Sequence, residues 1–120
     1  RAVMKAVTKY SDNTGGGSHT ASYVTSTTDY LFELAEFEYH GARTYANSAE
    51  QNYQQQYAYY QAGNSKIHYK HNATGTAASV WCRSVYAGNA NNFCLVNTDG
   101  SANNNNANNS RGVAPGFYTP

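Results

Sequence analysis

Three groups of residues in this 120-residue sequence are of types that do chemistry: the carboxylates Glu33, Glu36 and Glu38, the histidines His68 and His71, and the cysteines Cys82 and Cys94. Neighbouring carboxylates can divide acid and base roles between them. These three fall in one exposed-looking amphipathic stretch, "FELAEFEYHGA", with no second carboxylate cluster elsewhere, and a structural role is expected for them. His68 and His71 stand three residues apart, but no Cys, Asp or Glu lies within several residues of them. A strand or loop there would not hold both rings on one face, so no metal is expected. The cysteines either pair across neighbouring strands or fill places that suit a small buried apolar residue, and two free thiols are the preferred reading. The sequence has no Gly-x-Ser-x-Gly, no phosphate-cradling glycine loop and no nucleophile with a His partner nearby. Neither a catalytic group nor a cofactor is expected. The glycosylation patterns at Asn72 and Asn108 matter only in a secretory host and are discounted.

What remains is amide chemistry. Residues 89 to 110, "NANNFCLVNTDGSANNNNANNS", hold ten of the fifteen Asn. An Asn amide offers two donors and an acceptor oxygen on a short side chain, though Asn forms strands and helices poorly. Charged residues are only 12%, about half the usual share, while Tyr reaches twelve. Tyr, Ser, Gly and Asn are the residues enriched in antibody paratopes, which points to binding. Eight Lys and Arg face seven Asp and Glu, and residues 84 to 110 carry a single charge, Asp99, so nucleic acid is not an expected partner. No apolar run reaches bilayer length, which excludes membrane insertion by a helix. Because the sequence begins with Arg, it is read as the C-terminal part of a longer protein whose upstream region can carry targeting or oligomerising segments.

The elements that must position these amides are legible in outline. One domain is expected over 1–120. "AVMKAVTKY" (2–10) reads as a strand before the loop "SDNTGGGSHTAS". "DYLFELAEFEYHGA" reads as a short strand passing into a short helix that stops near Gly41. Asn47 caps a helix, with Glu50 three residues on, that runs to just before Gly63 and turns Tyr53, Tyr57 and Tyr60 to the core. "KIHYKH" reads as a short strand and "NATGTAA" as a loop. Next come the strands "SVWCRSV" and "NFCLVN", the turn "TDG", the polar strand "SANNNNANN" and a closing "RGVAPGFY". A period of two in "NFCLVN" sets Cys94 and Val96 on a packed face and Phe93, Leu95 and Asn97 on a displayed one. The Asn tract lacks the charge and Pro content of a solvated linker, which favours a strand-and-loop surface with amides outward over disorder.

"VWCRSV", the Asn-rich insert and "SRGVAPGF" together resemble the C-terminal signature of C-type lectin-like domains related to the formylglycine-generating enzyme. "FELAEFEYHGA" resembles more weakly the Leu-Pro-Thr-Glu-Ala-Glu-Trp-Glu-Tyr-Ala helix of the same group. The sequence is also similar to a domain family of gut Firmicutes and their phages that carries Trp-Trp-Leu-Arg-Ser-Pro, an Asn/Ser/Tyr-rich span and Gly-Val-x-Pro. The resemblance covers residues 79 to 117 closely and the rest loosely. It implies an α+β, C-type lectin-like fold of small mixed or antiparallel sheets with one or two helices. In variable proteins of diversity-generating retroelements, such a domain ends in a repeat whose Asn codons are diversified.

By that resemblance Trp81, Arg83, Arg111, Gly112 and Phe117 are framework, with Trp81, Val96 and Phe117 buried. Residues 80–112 are the variable segment. Its display positions are Asn89, Asn91, Asn92, Asn97, Asn103, Asn104, Asn105, Asn106, Asn108 and Asn109, joined by Tyr86 and Leu95. Val80, Cys82 and Val85 depart from the family's Trp, Leu and Pro. The motif around the copper-binding cysteines of the enzyme branch is missing, and so are the triplets of calcium-dependent sugar binding. The expected function is therefore non-catalytic recognition of a protein or glycan receptor from a phage tail or bacterial surface. A structural virion or surface oligomerisation module is the alternative, and a formylglycine-generating-enzyme-like oxidase is a more distant one.

Overall fold

β-Branched Val and Thr favour extended backbone in two early segments, β1 (Val7–Asp12) and β2 (Val24–Asp29), which pair antiparallel from Val7↔Asp29 to Asp12↔Val24. They open a computed structural model that describes residues 3–120. The strand expected over 2–10 thus begins later and runs to Asp12, and residue 2 lies outside the described residues. Its partner β2 stands where no strand is expected. Ahead of β1, the Lys5 N–H donates to the Tyr118 carbonyl (2.8 Å), an antiparallel bridge between the two ends of the domain.

A two-residue strand, β3 (Phe32–Glu33), passes into α1 (Glu36–His40), in line with the amphipathic stretch. Ala35 at the N-cap has no side-chain oxygen. The Glu38 carboxylate instead reaches back to the Ala35 N–H (2.9 Å), the reciprocal half of a capping box. Gly41, at φ +65°, ends the helix in the left-handed conformation that glycine adopts without strain.

The long helix expected from Asn47 to Gly63 does not form. Asn47 does cap, accepting from the Ala49 N–H (3.0 Å), but it opens a 3₁₀ helix, Ser48–Tyr53, which gives way to an irregular stretch and a one-turn α2 (Ala58–Gln61). The Tyr57 N–H donates to the Glu38 carbonyl across to α1 rather than within a helix, which breaks the run. Tyr53 is consequently 55% exposed, and of the expected tyrosine stripe only Tyr60 packs on the core cluster. "NATGTAA" is likewise not a loop: β5 (Ala73–Ala78) pairs with β4 (His68–Lys70), with an irregularity at Tyr69/Lys70.

The central sheet has the order β6 (Val80–Val85), β7 (Asn92–Val96), β8 (Ala102–Asn106), all antiparallel. The closing segment contributes only β9 (Pro115–Gly116), paired with β3. Pro115 lacks an N–H, which limits this ladder. Phe117, expected to be buried, is 54% exposed. The chain is thus a mixed α+β domain of small antiparallel sheets and short helices. None of the described helices is long and apolar enough to cross a membrane.

Two cores hold the domain. The apolar one gathers Val80, Cys82, Cys94 and Val96 from β6 and β7 under Tyr39 and Ala46. The polar one consists of buried carboxylates, each satisfied, as burial of charge requires. Glu36 accepts the backbone N–H groups of Thr44, Tyr45 and Ala46 and so folds the 44–46 loop. Asp12 accepts from Thr14, Gly15 and the Asn47 amide. Glu50 accepts the Asp12 N–H (2.9 Å), the Ser84 hydroxyl (2.8 Å) and the Gln54 amide (3.1 Å). Burial still raises the Glu50 pKa against these donors. Glu36 and Glu38 have the structural role expected of them, but they are buried rather than surface groups.

Candidate ligand-binding surface

β7 is the middle strand of its sheet, and the residues on its two edges decide what is displayed. On the β6 side, Arg83 donates to the Glu33 and Tyr10 carbonyls and to the Glu38 carboxylate, so one guanidinium joins β1, β3 and α1 to the sheet. Gly112 lies alongside Val80. The Trp81 N–H donates to its carbonyl (3.0 Å), and a Cβ there would meet Val80 Cγ1 at 3.1 Å. Arg111 Nη1 donates to the Ser79 hydroxyl (3.0 Å). Arg83, Arg111 and Gly112 thus hold the sheet in place. Trp81 is half-buried and meets Phe93 edge to face, with ring centroids 6.3 Å apart.

Residues 97–101 close the β7–β8 hairpin. The Gly100 N–H donates to the Asn97 carbonyl, and Asp99 accepts the Ser101 N–H and hydroxyl. Gly100, at φ +87°, supplies the left-handed residue that such a turn needs. The turn expected at "TDG" is therefore present.

β8 distributes its amides to both faces of the sheet, because side chains alternate along a strand. Asn104 and Asn106 fall on the face of Cys94 and Asn92, and the Asn92 amide donates to Asn104 Oδ1 (2.9 Å). Asn103 and Asn105 fall on the opposite face, with Leu95 and Phe93. The expectation of amides turned uniformly outward is corrected accordingly. Asn97, Asn103, Asn104 and Asn105 are half-buried and hydrogen-bonded within the chain: Asn103 Nδ2 to Asn97 Oδ1 (3.1 Å), for example, and Asn109 Nδ2 to Asn105 Oδ1 (3.0 Å).

The outer edge of β8 has no strand beside it among the described residues. The ladder is anchored by Asn97 N–H to Ser101 O and by Ala107 N–H to Asn91 O. Its alternation turns the backbone groups of Asn103 and Asn105 toward β7 and those of Ala102, Asn104 and Asn106 toward the open edge. There Asn103 Oδ1 accepts the Asn104 N–H and Asn105 Oδ1 accepts the Asn106 N–H, both at 2.8 Å. Two of the amides expected to meet a ligand therefore cover the strand's own edge.

Leu95, expected on the displayed face, is only 1% exposed. Cys94, Leu95 and Val96 are all buried, so both faces of β7 are covered along that run and the alternation of "NFCLVN" does not separate inside from outside there. Tyr86 is half-buried, with its ring edge-on to Tyr45 at 5.7 Å. Within residues 89 to 110 five Asn are exposed: Asn89 and Asn91 before β7, and Asn106, Asn108 and Asn109 at and after the end of β8. The Ala107–Asn91 hydrogen bond (3.0 Å) draws these two segments together, and Asn91, Asn106, Ala107 and Asn108 line a shallow cavity of about 330 Å³.

Cys82 and Cys94 are unbonded and buried, and burial pushes both thiols well above their ordinary pKa, so both are protonated at neutral pH. Among the described residues no further His, Cys, Asp or Glu gathers with His68 and His71 into a group of three. His68 is half-buried edge-on against Tyr39, while His71 is exposed in the turn after β4. Sequence reasoning misses a larger cavity of about 400 Å³, lined by Tyr53, Gln54–Gln56, Tyr57, Gln61 and Tyr118 with Lys9 and Glu38 at its wall. Its signal is the Gln- and Tyr-dense run "QNYQQQYAYYQ", whose spacing imitates one face of a helix.

Fold and surface together define a small α+β domain that holds amide-rich loops on a three-stranded sheet. The chain belongs to the family described as a domain of unknown function, DUF6273, whose model matches residues 1–120. No curated protein and no solved structure matches it.

Proposed function

We propose that this domain is a non-catalytic binding module of C-type lectin-like fold. Its recognition surface is the exposed cluster Asn89, Asn91, Asn106, Asn108 and Asn109, flanked by Tyr86. The observation that carries the reading is the meeting of two sequence-distant Asn segments around one shallow concavity, tied together by the Ala107–Asn91 hydrogen bond. The sheet beneath them is fixed by Arg83, Gly112 and the buried Cys94–Val96 run, so the loops lose little entropy on binding. Short amides alone bind weakly, and aromatic or Arg replacements at the same positions supply the anchors that dominate interface energy. This is the logic of a variable protein of a diversity-generating retroelement, displayed on a phage tail or bacterial surface toward a protein or glycan receptor.

Two observations weigh against the other readings. Asn103 and Asn105 cover the β8 edge that a strand-pairing oligomerisation module would leave open. Cys82 and Cys94 are packed within the apolar core rather than set at an open polar site, which disfavours a copper oxidase.

The DNA around the gene tests the diversification. A second copy of the segment for residues 80–112, differing at adenines and lying beside a reverse transcriptase gene, is the expected result. Independent isolates with unchanged Asn codons and no such copy would overturn it. Recognition itself is tested by randomising the five exposed Asn in a display library and selecting on intact bacterial cells. Folded binders are expected, and a library that yields folded protein but no enrichment would sink the proposal.

A further inference from the structure

The 400 Å³ cavity between the 3₁₀ helix, α2 and the chain end lies within the size range of small-ligand sites, about 300–1,000 Å³. It shares no lining residue with the Asn cluster. Three properties of its wall define what fits it.

The first is aromatic surface held in place. Tyr53 is 55% exposed, yet it stacks on Tyr10 with ring centroids 4.8 Å apart and planes 14° from parallel. Tyr57 and Tyr118 meet edge-on, and their hydroxyls hydrogen-bond at 3.1 Å. The second is unengaged amide. Gln54 Nε2 donates to the Tyr10 carbonyl (2.8 Å) and to Glu50 (3.1 Å), which leaves its Oε1 buried without a partner. Among the described residues, the side-chain amides of Gln55 and Gln61 and the Tyr53 hydroxyl make no hydrogen bond. The third is cancelled charge. Lys9 Nζ lies 2.6 Å from Glu38 Oε2 and 2.9 Å from the Tyr57 hydroxyl, so the one ammonium at the wall already has its counter-ion.

A ligand matched to this wall carries no net charge. It presents C–H faces to the tyrosine rings and hydroxyls, which both donate and accept, to the glutamine amides. We infer that this cavity is a second, separate binding site for a neutral saccharide.

The test titrates the ¹⁵N-labelled domain with maltose, cellobiose and N,N′-diacetylchitobiose at millimolar concentrations. At least one of them is expected to give saturable shifts centred on Tyr53, Gln55 and Gln61. Tyr53→Ala, which also removes the stack on Tyr10, and Gln61→Ala, at an exposed position, each weaken that binding by about tenfold or more while keeping a cooperative melting transition. Asn108→Ala does not. The inference is overturned if none of the three sugars gives saturable shifts, or if binding survives both variants. Because the Asn cluster is untouched by this experiment, failure here leaves the proposed recognition surface to stand or fall on its own tests.

Discussion

Arg83 Nη1 lies 3.0 Å from Glu38 Oε1, and Lys9 Nζ lies 2.6 Å from the other oxygen of the same carboxylate. One buried anion therefore joins the first strand, the first helix and the central sheet. Removing one member of a buried charge cluster leaves the others uncompensated. Glu38→Ala is expected to destabilise the domain by about 3–5 kcal/mol, read from the urea unfolding midpoint. A midpoint that hardly moves would show that the cluster is solvated in solution.

Leu95 separates packing from display. Leu95→Ala is expected to cost ~2–5 kcal/mol of stability, as truncation of a buried leucine does. If the variant keeps its midpoint but loses a ligand selected on the Asn loops, Leu95 is a contact residue after all.

The Asn run should divide by position. Substituting Asn106, Asn108 and Asn109 together by Ser should leave the melting temperature nearly unchanged, because these side chains are exposed. Asn103→Ala with Asn105→Ala uncovers two edge N–H groups, at about 0.5–1.5 kcal/mol per lost hydrogen bond. An uncovered edge also templates strand pairing, so concentration-dependent self-association by analytical ultracentrifugation should accompany the loss. Equal behaviour of the two sets would contradict the covering role.

Acid should weaken the fold through His40. Burial, with Lys66 nearby, lowers its pKa from 6.5 to about 4, and its buried Nε2 has no partner. The unfolded chain therefore binds the proton more readily, and stability falls as pH drops from 6.5 toward 4. His68 is shifted in the same direction by its own burial. Glu33 and Glu50, raised by burial, act with the opposite sign, because their protonation near and above pH 4.5 favours the folded state. His40→Gln isolates the first effect: its stability should vary less than the wild type's between pH 7 and pH 4, by calorimetry. Parallel pH profiles would remove His40 from the account.

The parts of this architecture that depend on neighbouring residues are legible in the sequence. The turn at Asp99–Gly100, the end of α1 at Gly41, the cap at Asn47 and the apolar strands β6 and β7 each have a local cause. The parts that depend on distant partners are not. "VTSTTD" carries β-branched residues enough for a strand, but its pairing with β1 spans the glycine loop. Tyr53, Tyr57 and Tyr60 keep a helical spacing, yet the Tyr57 N–H bonds to α1 and the helix breaks. Glu36 resembles a surface carboxylate until the 44–46 loop wraps it. Within the candidate surface, local patterns reveal the Asn segments and the hairpin. Which amides face outward depends on the sheet edge and on both layers over β7, neither of which a period of two encodes.

The Lys5–Tyr118 bridge has a consequence for how this domain can be carried. The two ends of the fold leave side by side, a hydrogen bond apart, so a host protein could hold it as a cassette within one surface loop and feel little strain. By the same geometry, a circularly permuted chain joined across these ends and reopened at the exposed Gly63 turn keeps every strand pairing.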